Sequence, residues 1–251
     1  CVTGLHIYQL LQDVLYDGMF NSGVLQGFKM HFPEGSCINP GMQYACSCWA
    51  SAKISAGGTF QRSLSRAYFA KGFREEGLAS KAMTCSVFAG GVDENGRQFS
   101  VANFEMNSSG AAAGSNKDGL DASNSVWNPE ANLSDIEPFE PIWPLRWLGR
   151  GALTDGGGFG KHRGGAPVTS LYVIEPEVQT IESGCFNSGD KVFVSAGTMG
   201  GYPAAARYRY TLTNTNFKEA VEQQLPLPHE EGDPADPDFA KLLKGTLNRT
   251  P

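Results

Sequence analysis

Apolar residues follow two different periods along the 251-residue chain, and the change lies near residue 85. In 5–20 the apolar residues recur at helical spacing, which predicts an amphipathic helix. A second helix is predicted from Thr59, as its N-cap, to residue 73, after a break at the Gly57-Gly58 pair. Between these two helices, the stretch 24–32 is predicted to form a strand.

The second part of the chain has the pattern of strands separated by turns and loops. A hairpin is predicted around the turn at 93–96, and further strands are predicted within 167–184 and 190–197. The stretch 107–124 consists mostly of small residues without periodicity, so it is predicted to be a long loop, a kind of loop that is often functional or interfacial. The apolar and small surface of this loop and of the tryptophan- and proline-containing segment 125–147 predicts a chain that is stable only within a larger assembly.

These patterns predict an α+β fold, with a mixed helical first part and a β-rich second part that carries long glycine-rich loops. Three segments follow: 1–84 with mixed helix and strand, 85–225 with the strands and glycine loops, and 226–251 as a tail or connection rich in proline and acid. One short helix is predicted in the last segment, at 239–243. The first two segments are either separate units or one continuous domain.

Composition and charge narrow the classes of partner and location. A net charge of -6 excludes the basic footprint of a general nucleic-acid binder. The chain contains no apolar run near the roughly 20 residues that cross a bilayer, and its start lacks the features of a signal peptide. Its six cysteines are interpreted as reduced thiols, because a chain of this length needs no disulfide scaffold. We therefore expect a cytoplasmic protein that binds neither membrane nor nucleic acid.

Candidate chemistry concentrates in the stretch 145–165, which holds eight glycines. It also holds five side chains that carry or can acquire positive charge: Arg146, Arg150, Lys161, His162 and Arg163. Such a loop is either an anion site built from cations and backbone N–H groups, or a turn-rich connection that crosses a packed interface. Composition alone favours the connection. The stretch matches neither of the usual phosphate-binding fingerprints.

Other catalytic constellations are absent from the sequence. There is no G-x-S-x-G motif, and the four histidines are too scattered to define a metal site, so no metal ligand is assigned and the catalytic residues stay unknown. Four carboxylates near the tryptophans could pair as acid and base, although solvated loop acids are the favoured interpretation. They are Glu130, Asp135, Glu137 and Glu140.

The glycine stretch carries a family resemblance. DGGGFGKHRGG at 155–165 resembles the D-x-G-G-x-G-[KR]-[YHW]-R-G-G signature of hydantoinase B/oxoprolinase-type subunits. The segment 103–122 is similar to the small-residue segment of that family, which ends in Asp-Gly. The segments 126–150, 199–210 and 64–76 resemble the ketone carboxylase branch, which comprises the acetone and acetophenone carboxylases.

The resemblance implies part of a hydantoinase B-like subunit in a multi-subunit, ATP-dependent ketone carboxylase, a ligase that converts acetone or acetophenone and bicarbonate to a 3-oxo acid. It implies ATP and Mg²⁺ on a partner subunit of the actin-like ATPase (hydantoinase A-like) kind, and it admits a divalent metal ion, Zn²⁺ or Mn²⁺, elsewhere in the complex. The family members are longer, and their metal-bearing amino-terminal half has no counterpart here, so the chain alone is expected to be inactive.

Two alternatives share the signature: a subunit of a hydantoinase or 5-oxoprolinase that hydrolyses an amide ring, and a structural subunit without catalytic residues. The residues expected to bind substrate or an anion are Lys161, His162, Arg163 and Arg150. The residues expected to shape the signature turn are Asp155, Gly156, Gly157, Gly160, Gly164 and Gly165. Arg163 is expected either to pair locally, with Asp155 or with backbone carbonyls, or to face the ligand. Trp143, Trp147 and Tyr202 would suit the lining of an aryl-ketone site, or core packing equally well.

Overall fold

A 23-residue helix, α1 (Trp49–Lys71), is the longest element of the computed structural model. The structure describes residues 22–27, 29–36, 38–45, 49–76, 85–107, 109–123, 135–175, 178–186, 195–205, 209–225, 227 and 244–250. The helices predicted over 5–20 and 239–243 lie outside these residues, as does Glu130.

Helix α1 runs straight through Gly57 and Gly58, so the predicted break and the N-cap at Thr59 are wrong. Thr59 instead accepts a hydrogen bond inside the helix, from the Ser63 hydroxyl to its carbonyl oxygen at 2.9 Å. A glycine in a helix costs about 1 kcal/mol relative to alanine, a penalty that packing of the helix can offset. Gly57 is buried, which is the setting where such packing operates.

The C-terminus of α1 is closed by a Schellman motif. Gly72 adopts a left-handed φ of 94°, which favours glycine, and its N–H donates to the Phe69 carbonyl at 3.1 Å. The Phe73 N–H donates to the Tyr68 carbonyl at 3.0 Å, and the two rings meet edge to face with centroids 6.3 Å apart. The sequence FAKG therefore stops the helix by a local mechanism.

The predicted strand at 24–32 is wrong, because Ser22–Gly27 forms a 3₁₀ helix. A strand is stabilised when one face of alternate residues is buried against a core. Here Gln26, Lys29 and Met30, which alternation would place on both faces of a strand, are all exposed.

The predicted hairpin at 85–106 is confirmed. Strands β1 (Cys85–Val92) and β2 (Gln98–Asn107) pair antiparallel around a turn in which Asp93 Oδ1 accepts the backbone N–H of Asn95 and of Arg97, at 2.9 and 2.8 Å. Numbering the strands in chain order, β5 (Thr180–Phe186) pairs with the other edge of β1 and gives the order β2-β1-β5.

A second hairpin joins β3 (Leu145–Ala152) to β4 (Val168–Ile174), and the glycine stretch connects the two strands. The strands predicted within 167–184 correspond to β4 and β5, whereas β3 was not predicted because its glycines obscure the strand pattern. A bulge separates Trp147 from Gly149 in the register.

The β3–β4 hairpin buries both of its faces. On one face Trp147 and Tyr172 join Ala89 of β1 in the main core. Four aromatic rings follow one another there, with neighbouring centroids 4.6 to 6.3 Å apart; the first pair is stacked and the other two pairs are tilted: Phe139, Trp143, Trp147 and Tyr172. On the other face Leu148 and Val173 pack under a short helix. This helix, α2 (Phe217–Glu222), contributes Phe217 and Ala220. The alternation of side chains along a strand explains this division.

Strand β6 (Arg209–Thr213) pairs antiparallel with β7 (Thr246–Thr250). The segment 226–251 was expected to be a tail or connection with one short helix, and within it the structure adds a strand that was not predicted, β7. A pairing partner more than 30 positions away is a long-range contact that the local composition of the tail does not reveal. Together these helices and antiparallel strands confirm the α+β class, while the three-segment division stays a prediction. In the part of the chain that the structure describes, no helix is both long and apolar enough to cross a membrane.

Candidate functional site

Three glycine-containing segments, 109–123, 153–167 and 195–205, meet in one hydrogen-bonded assembly, which we term the glycine junction. Three backbone hydrogen bonds join the first two segments. The Gly119 N–H donates to the Arg163 carbonyl at 2.8 Å, the Gly165 N–H to the Ala111 carbonyl at 2.9 Å, and the Ala122 N–H to the Ala166 carbonyl at 2.9 Å. The third segment joins the second through Tyr202, whose N–H donates to the Phe159 carbonyl at 2.8 Å. Segments that are far apart in sequence thus pair through their main chains.

The glycines of the junction permit backbone to lie directly on backbone. A Cβ atom added at Gly165 would overlap the Leu120 carbonyl, and one added at Gly157 would overlap the Gly164 carbonyl. At Gly158 an added Cβ would lie 2.6 Å from the Tyr202 carbonyl oxygen. None of the glycines in 145–165 has a left-handed φ. Close approach of chains is therefore the main reason for the glycine density, which supports the interpretation of a connection through a packed interface.

Asp155 has a structural role in the turn at the start of the signature. Its φ of 55° lies in the left-handed region, and the Gly156 N–H closes the turn on the Leu153 carbonyl at 3.1 Å. Aspartate tolerates this conformation better than most residues other than glycine. The side chain is exposed and is not the partner of Arg163, so the expected pair between Arg163 and Asp155 is wrong.

Arg163 is held by two aspartates of the 109–123 segment. Its guanidinium contacts the Asp121 carboxylate through two bonds, Nη1 to Oδ1 at 2.8 Å and Nη2 to Oδ2 at 3.2 Å, and Nη1 also donates to the Gly164 carbonyl at 3.3 Å. The Arg163 backbone N–H donates to Asp118 Oδ1 at 3.0 Å. Asp121 Oδ1 accepts a further bond from the Ala166 N–H at 2.7 Å. The two aspartates therefore fasten the signature to its neighbouring segment.

These bonds favour the ionised form of Asp121. The hydrogen bond from Arg163, followed by that from the Ala166 N–H, lowers the pKa of Asp121 from 3.8 to about 2. The same carboxylate raises the pKa of Arg163. Because both side chains are about half exposed, solvent screens the attraction between them, and the pair adds little to stability. Its main effect is to fix the position of Arg163 relative to Asp121.

The remaining cations of the stretch have different surroundings. His162 is partly buried, and its Nδ1 lies 3.5 Å from Asp118 Oδ1. Arg146 forms an ion pair with Glu175 at 2.8 Å, across the β3–β4 hairpin, and Arg150 is partly buried in β3. Lys161 is exposed, and among the described residues it forms no ion pair. Of the four predicted anion contacts, Lys161, His162 and Arg163 follow one another in the loop between β3 and β4, and Arg150 lies within β3.

Three other candidate groups are structural. Glu140 is partly buried and accepts the backbone N–H of Trp147 at 2.8 Å, at the bulge of β3, so it satisfies a group that the strand leaves unpaired. Trp143 and Trp147 are core residues, each 8% exposed. Tyr202, in contrast, lies on the surface of the junction.

The described residues offer no group of three His, Cys, Asp or Glu side chains that could hold a metal ion. The aspartates that face the signature are already bonded to Arg163 and to backbone N–H groups. These residues therefore do not fit a divalent cation, and no chemical step is assigned to a metal on this part of the chain.

Asp118 and Asp121 were not among the residues selected from the sequence. A signal was available, since Asp118 forms the Asp-Gly pair of the segment that carries the family resemblance, and both residues are acids in a loop of small residues. The two acids in one glycine-containing segment and the basic residues Lys161 and Arg163 in another complement each other in charge. Spacing along the chain does not show that the segments meet.

The family assignment agrees with this geometry. Residues 2–235 match the Hydantoinase B/oxoprolinase family profile. The acetone carboxylase alpha subunit of Xanthobacter autotrophicus is 32% identical over 238 residues, which cover 93% of this chain and 30% of that subunit. The acetophenone carboxylase delta subunit of Aromatoleum aromaticum is 22% identical over 222 residues, 84% of this chain and 32% of that subunit.

A nucleotide-free structure of acetone carboxylase, solved in connection with the mechanism of ATP-dependent acetone carboxylation, has the same fold. The TM-score is 0.88 at 31% identity, and the match covers 97% of this chain and 32% of that chain. The chain therefore spans between 30% and 32% of the length of these relatives. The profile match over most of the sequence, together with the glycine signature, shows that this chain belongs to the hydantoinase B/oxoprolinase family.

Proposed function

We propose that the chain is part of the hydantoinase B-like subunit of a multi-subunit, ATP-dependent ketone carboxylase. The complex joins a small ketone, acetone or acetophenone, to bicarbonate and forms a 3-oxo acid. The observation that carries this proposal is the likeness to acetone carboxylase, in sequence over 93% of the chain and in structure at a TM-score of 0.88. ATP and Mg²⁺ belong to an actin-like ATPase partner subunit, and the assembly is cytoplasmic.

Carboxylation of a ketone requires cations that hold an anionic carboxyl donor and stabilise an enolate oxygen. The four candidate residues differ in how much of that task they can perform. Arg163 is committed to Asp121, which favours a role in fixing the turn. Lys161, exposed on the same turn, is the best candidate for contact with an anion, with His162 beside it and Arg150 as a further candidate.

The proposed reaction is tested with the purified complex that contains this chain. We expect ATP hydrolysis to rise when acetone or acetophenone is added with bicarbonate, and ¹⁴C from bicarbonate to enter an acid product. Hydantoin and 5-oxoproline serve as comparison substrates. ATP turnover that responds to a ring amide and not to a ketone would replace the proposal with the amide-ring hydrolase.

The proposed anion contact is tested by Lys161→Gln, with Lys117→Gln as the matched control, because Lys117 is also exposed but lies on the neighbouring segment. Loss of one charge-assisted contact of about 1.5–3 kcal/mol should raise the KM for bicarbonate roughly tenfold or more. The control should retain the parental KM. An assembled Lys161→Gln complex with unchanged kinetics would contradict the role of Lys161.

The structural-subunit alternative also has a specific observation in its favour. The junction is closed by backbone contacts, and its arginine is paired within the chain, so much of the signature serves the fold. If Lys161→Gln, His162→Gln and Arg150→Gln all leave kcat and KM unchanged in assembled complexes, this alternative accounts for the signature better than a binding site does.

A further inference from the structure

The turn between β1 and β2 contains the single Asn-Gly pair of the sequence, Asn95-Gly96. Both residues are exposed, and a Cβ atom added at Gly96 would have no other atom within 4 Å. Glycine has no side chain, so it shields its own backbone nitrogen less than any other residue does and lets the backbone rotate most freely. The side-chain amide carbon of Asn95 is therefore open to attack by the nitrogen of the next residue.

Hydrogen bonds hold this turn closed, although it lies at the surface. The Gly96 N–H donates to the Asp93 carbonyl at 3.1 Å, and Asp93 Oδ1 accepts the backbone N–H groups of Asn95 and Arg97 at 2.9 and 2.8 Å. The Asn95 side chain donates through Nδ2 to Glu94 Oε1 at 3.0 Å. All of these bonds are exposed to water, so a local opening of the turn can break them without unfolding the strands.

We propose that Asn95 is a site of spontaneous deamidation in the folded protein, and that hydrogen bonds to the Asp93 carboxylate restrain the reaction. In the open turn the Gly96 nitrogen loses its proton to water or hydroxide and attacks Asn95 Cγ. The new N–C bond closes a succinimide ring, and the side-chain nitrogen takes up a proton and leaves as ammonia. Water then opens the ring at either carbonyl, giving aspartate or isoaspartate, so the reaction needs no co-reactant other than water.

Two Asp-Gly pairs of the glycine junction, Asp118-Gly119 and Asp155-Gly156, have the chemistry for the same ring but lack the room to form it. Gly119 and Gly156 are both buried, and both N–H groups are hydrogen-bonded to backbone carbonyls. A Cβ atom added at Gly119 would lie 2.6 Å from the Gly165 nitrogen. Ring closure requires the peptide between the two residues to rotate, which crowding by backbone atoms opposes. The reaction is thus expected at the hairpin turn and not in the junction.

Isoaspartate at position 95 would alter the hairpin as well as its charge. It carries the main chain through the former side-chain carbons, so the path from Asn95 to Gly96 becomes longer, while the paired residues Val92 and Gln98 flank the turn directly. Strand β1 is the central strand of its sheet, and its Ala89 belongs to the main core. Accumulated isoaspartate is therefore expected to lower the stability of the sheet β2-β1-β5.

The proposal is independent of the reaction that the complex catalyses, so it stands if the ketone assay fails. The purified native complex is stored at physiological temperature and its tryptic peptides are mapped at intervals, beside a fresh sample digested in the same way. Asn116 is the matched control, because it is also exposed but is followed by Lys117. The peptide that ends at Arg97 should change from amide to acid severalfold faster than the Asn116 peptide, and faster still at mildly alkaline pH.

Three outcomes of this experiment would overturn the proposal. They are an unmodified Asn95 in the stored complex, equal rates at Asn95 and Asn116, and isoaspartate that forms at Asp118 or Asp155 before it forms at position 95. Methyl transfer by an isoaspartyl methyltransferase identifies the isoaspartate product in each peptide.

Two substitutions at Asp93 test the restraint. Asp93→Ala removes the acceptor of two backbone N–H groups, so the open turn becomes more populated and deamidation should accelerate about tenfold. Asp93→Asn keeps Oδ1 as an acceptor, so its rate should stay within about twofold of the parent rate. Equal acceleration in both variants would assign the restraint to charge and refute the role of the hydrogen bonds, as would an unchanged rate in Asp93→Ala.

Asn95→Gln tests the effect on the hairpin. Glutamine must close a larger and less favourable ring, and it fits this position because Asn95 does not have a left-handed φ. The stored Asn95→Gln complex should keep its Tm, whereas the stored parent should develop a population that melts at a lower temperature. Identical melting of the two stored complexes, at a time when the parent is largely deamidated, would refute the predicted damage to the sheet.

Discussion

Gly165→Ala is predicted to disrupt the glycine junction more than any exposed substitution in the same hairpin. Gly165 lies where segments 109–123 and 153–167 cross, and an added Cβ would overlap the Leu120 carbonyl group and lie 3.0 Å from the Ala111 nitrogen. Both obstacles are backbone atoms, which cannot rotate away as a flexible side chain could. The segments must therefore separate.

The magnitude follows from what this separation breaks. The Gly165 N–H donates to the Ala111 carbonyl at 2.9 Å, and the Ala111 N–H donates to the Leu120 carbonyl at 2.7 Å. Loss of these two hydrogen bonds costs about 1 kcal/mol each. Overpacking adds about 1–3 kcal/mol. We therefore expect the free energy of unfolding to fall by about 3–5 kcal/mol, which lowers Tm by roughly 6–20 °C for a chain of this size.

Gly151→Ala is the matched control in the same hairpin. No atom lies within 4 Å of a Cβ added at Gly151, and its φ is not left-handed. This substitution should leave the free energy of unfolding unchanged or raise it by up to about 1 kcal/mol, because alanine restricts the unfolded chain more than glycine does. Tm should therefore stay the same or rise.

The assay is thermal unfolding of the assembled complex, followed by circular dichroism, with the yield of assembled protein as a second measurement. A Tm for Gly165→Ala close to that of Gly151→Ala would refute the argument that the junction depends on backbone contact at glycine. A large loss in both variants would show that the hairpin tolerates no added methyl group, and the explanation by local crowding would fail.

Three further predictions concern the polar contacts that support the junction and the core. The pKa of Asp121 in the folded protein is about 2, below its ordinary value of 3.8, so its contribution to stability is present above pH 3.8 and is lost as the pH falls through 2. Asp121→Asn should therefore flatten the dependence of stability on pH in that window, and an unaltered dependence would show that another group is responsible. Arg163→Lys cannot reproduce the two bonds to Asp121, so assembly and Tm should fall while the KM for bicarbonate in assembled complex stays unchanged; a raised KM with intact assembly would favour direct ligand contact. Glu140→Ala leaves the Trp147 N–H unpaired and should lower the free energy of unfolding by about 1–3 kcal/mol, measured by urea unfolding with tryptophan fluorescence. Glu140→Gln keeps an acceptor and should lower it less, and equal losses in the two variants would contradict the hydrogen-bond explanation.

Local patterns determined the elements whose cause is local. The β1–β2 hairpin follows from two strand-like runs on either side of Asp-Glu-Asn-Gly. In this turn the Asp93 carboxylate accepts the backbone N–H groups of Asn95 and Arg97, two and four residues further along the chain. The glycine signature carried the family resemblance, which the family profile over residues 2–235 confirms. The favoured interpretation of that stretch, a connection through a packed interface, also agrees with the structure. Its glycines lie where an added Cβ atom would overlap backbone atoms of another segment.

Tertiary structure decided everything that depended on partners distant in sequence. Local propensity predicted a break at Gly57-Gly58, but α1 continues through both residues, and Gly57 is buried, a setting in which the weak helix propensity of glycine can be offset. Arg163 was expected to pair with Asp155 or with backbone carbonyls, and it does contact the Gly164 carbonyl, yet its carboxylate partner Asp121 lies 42 positions away. Likewise β7 exists only by pairing with β6. The sequence alone determined which residues can approach closely and which can carry charge. Only the fold determined which of them meet, because contacts between distant segments depend on the path of the whole chain and not on local spacing.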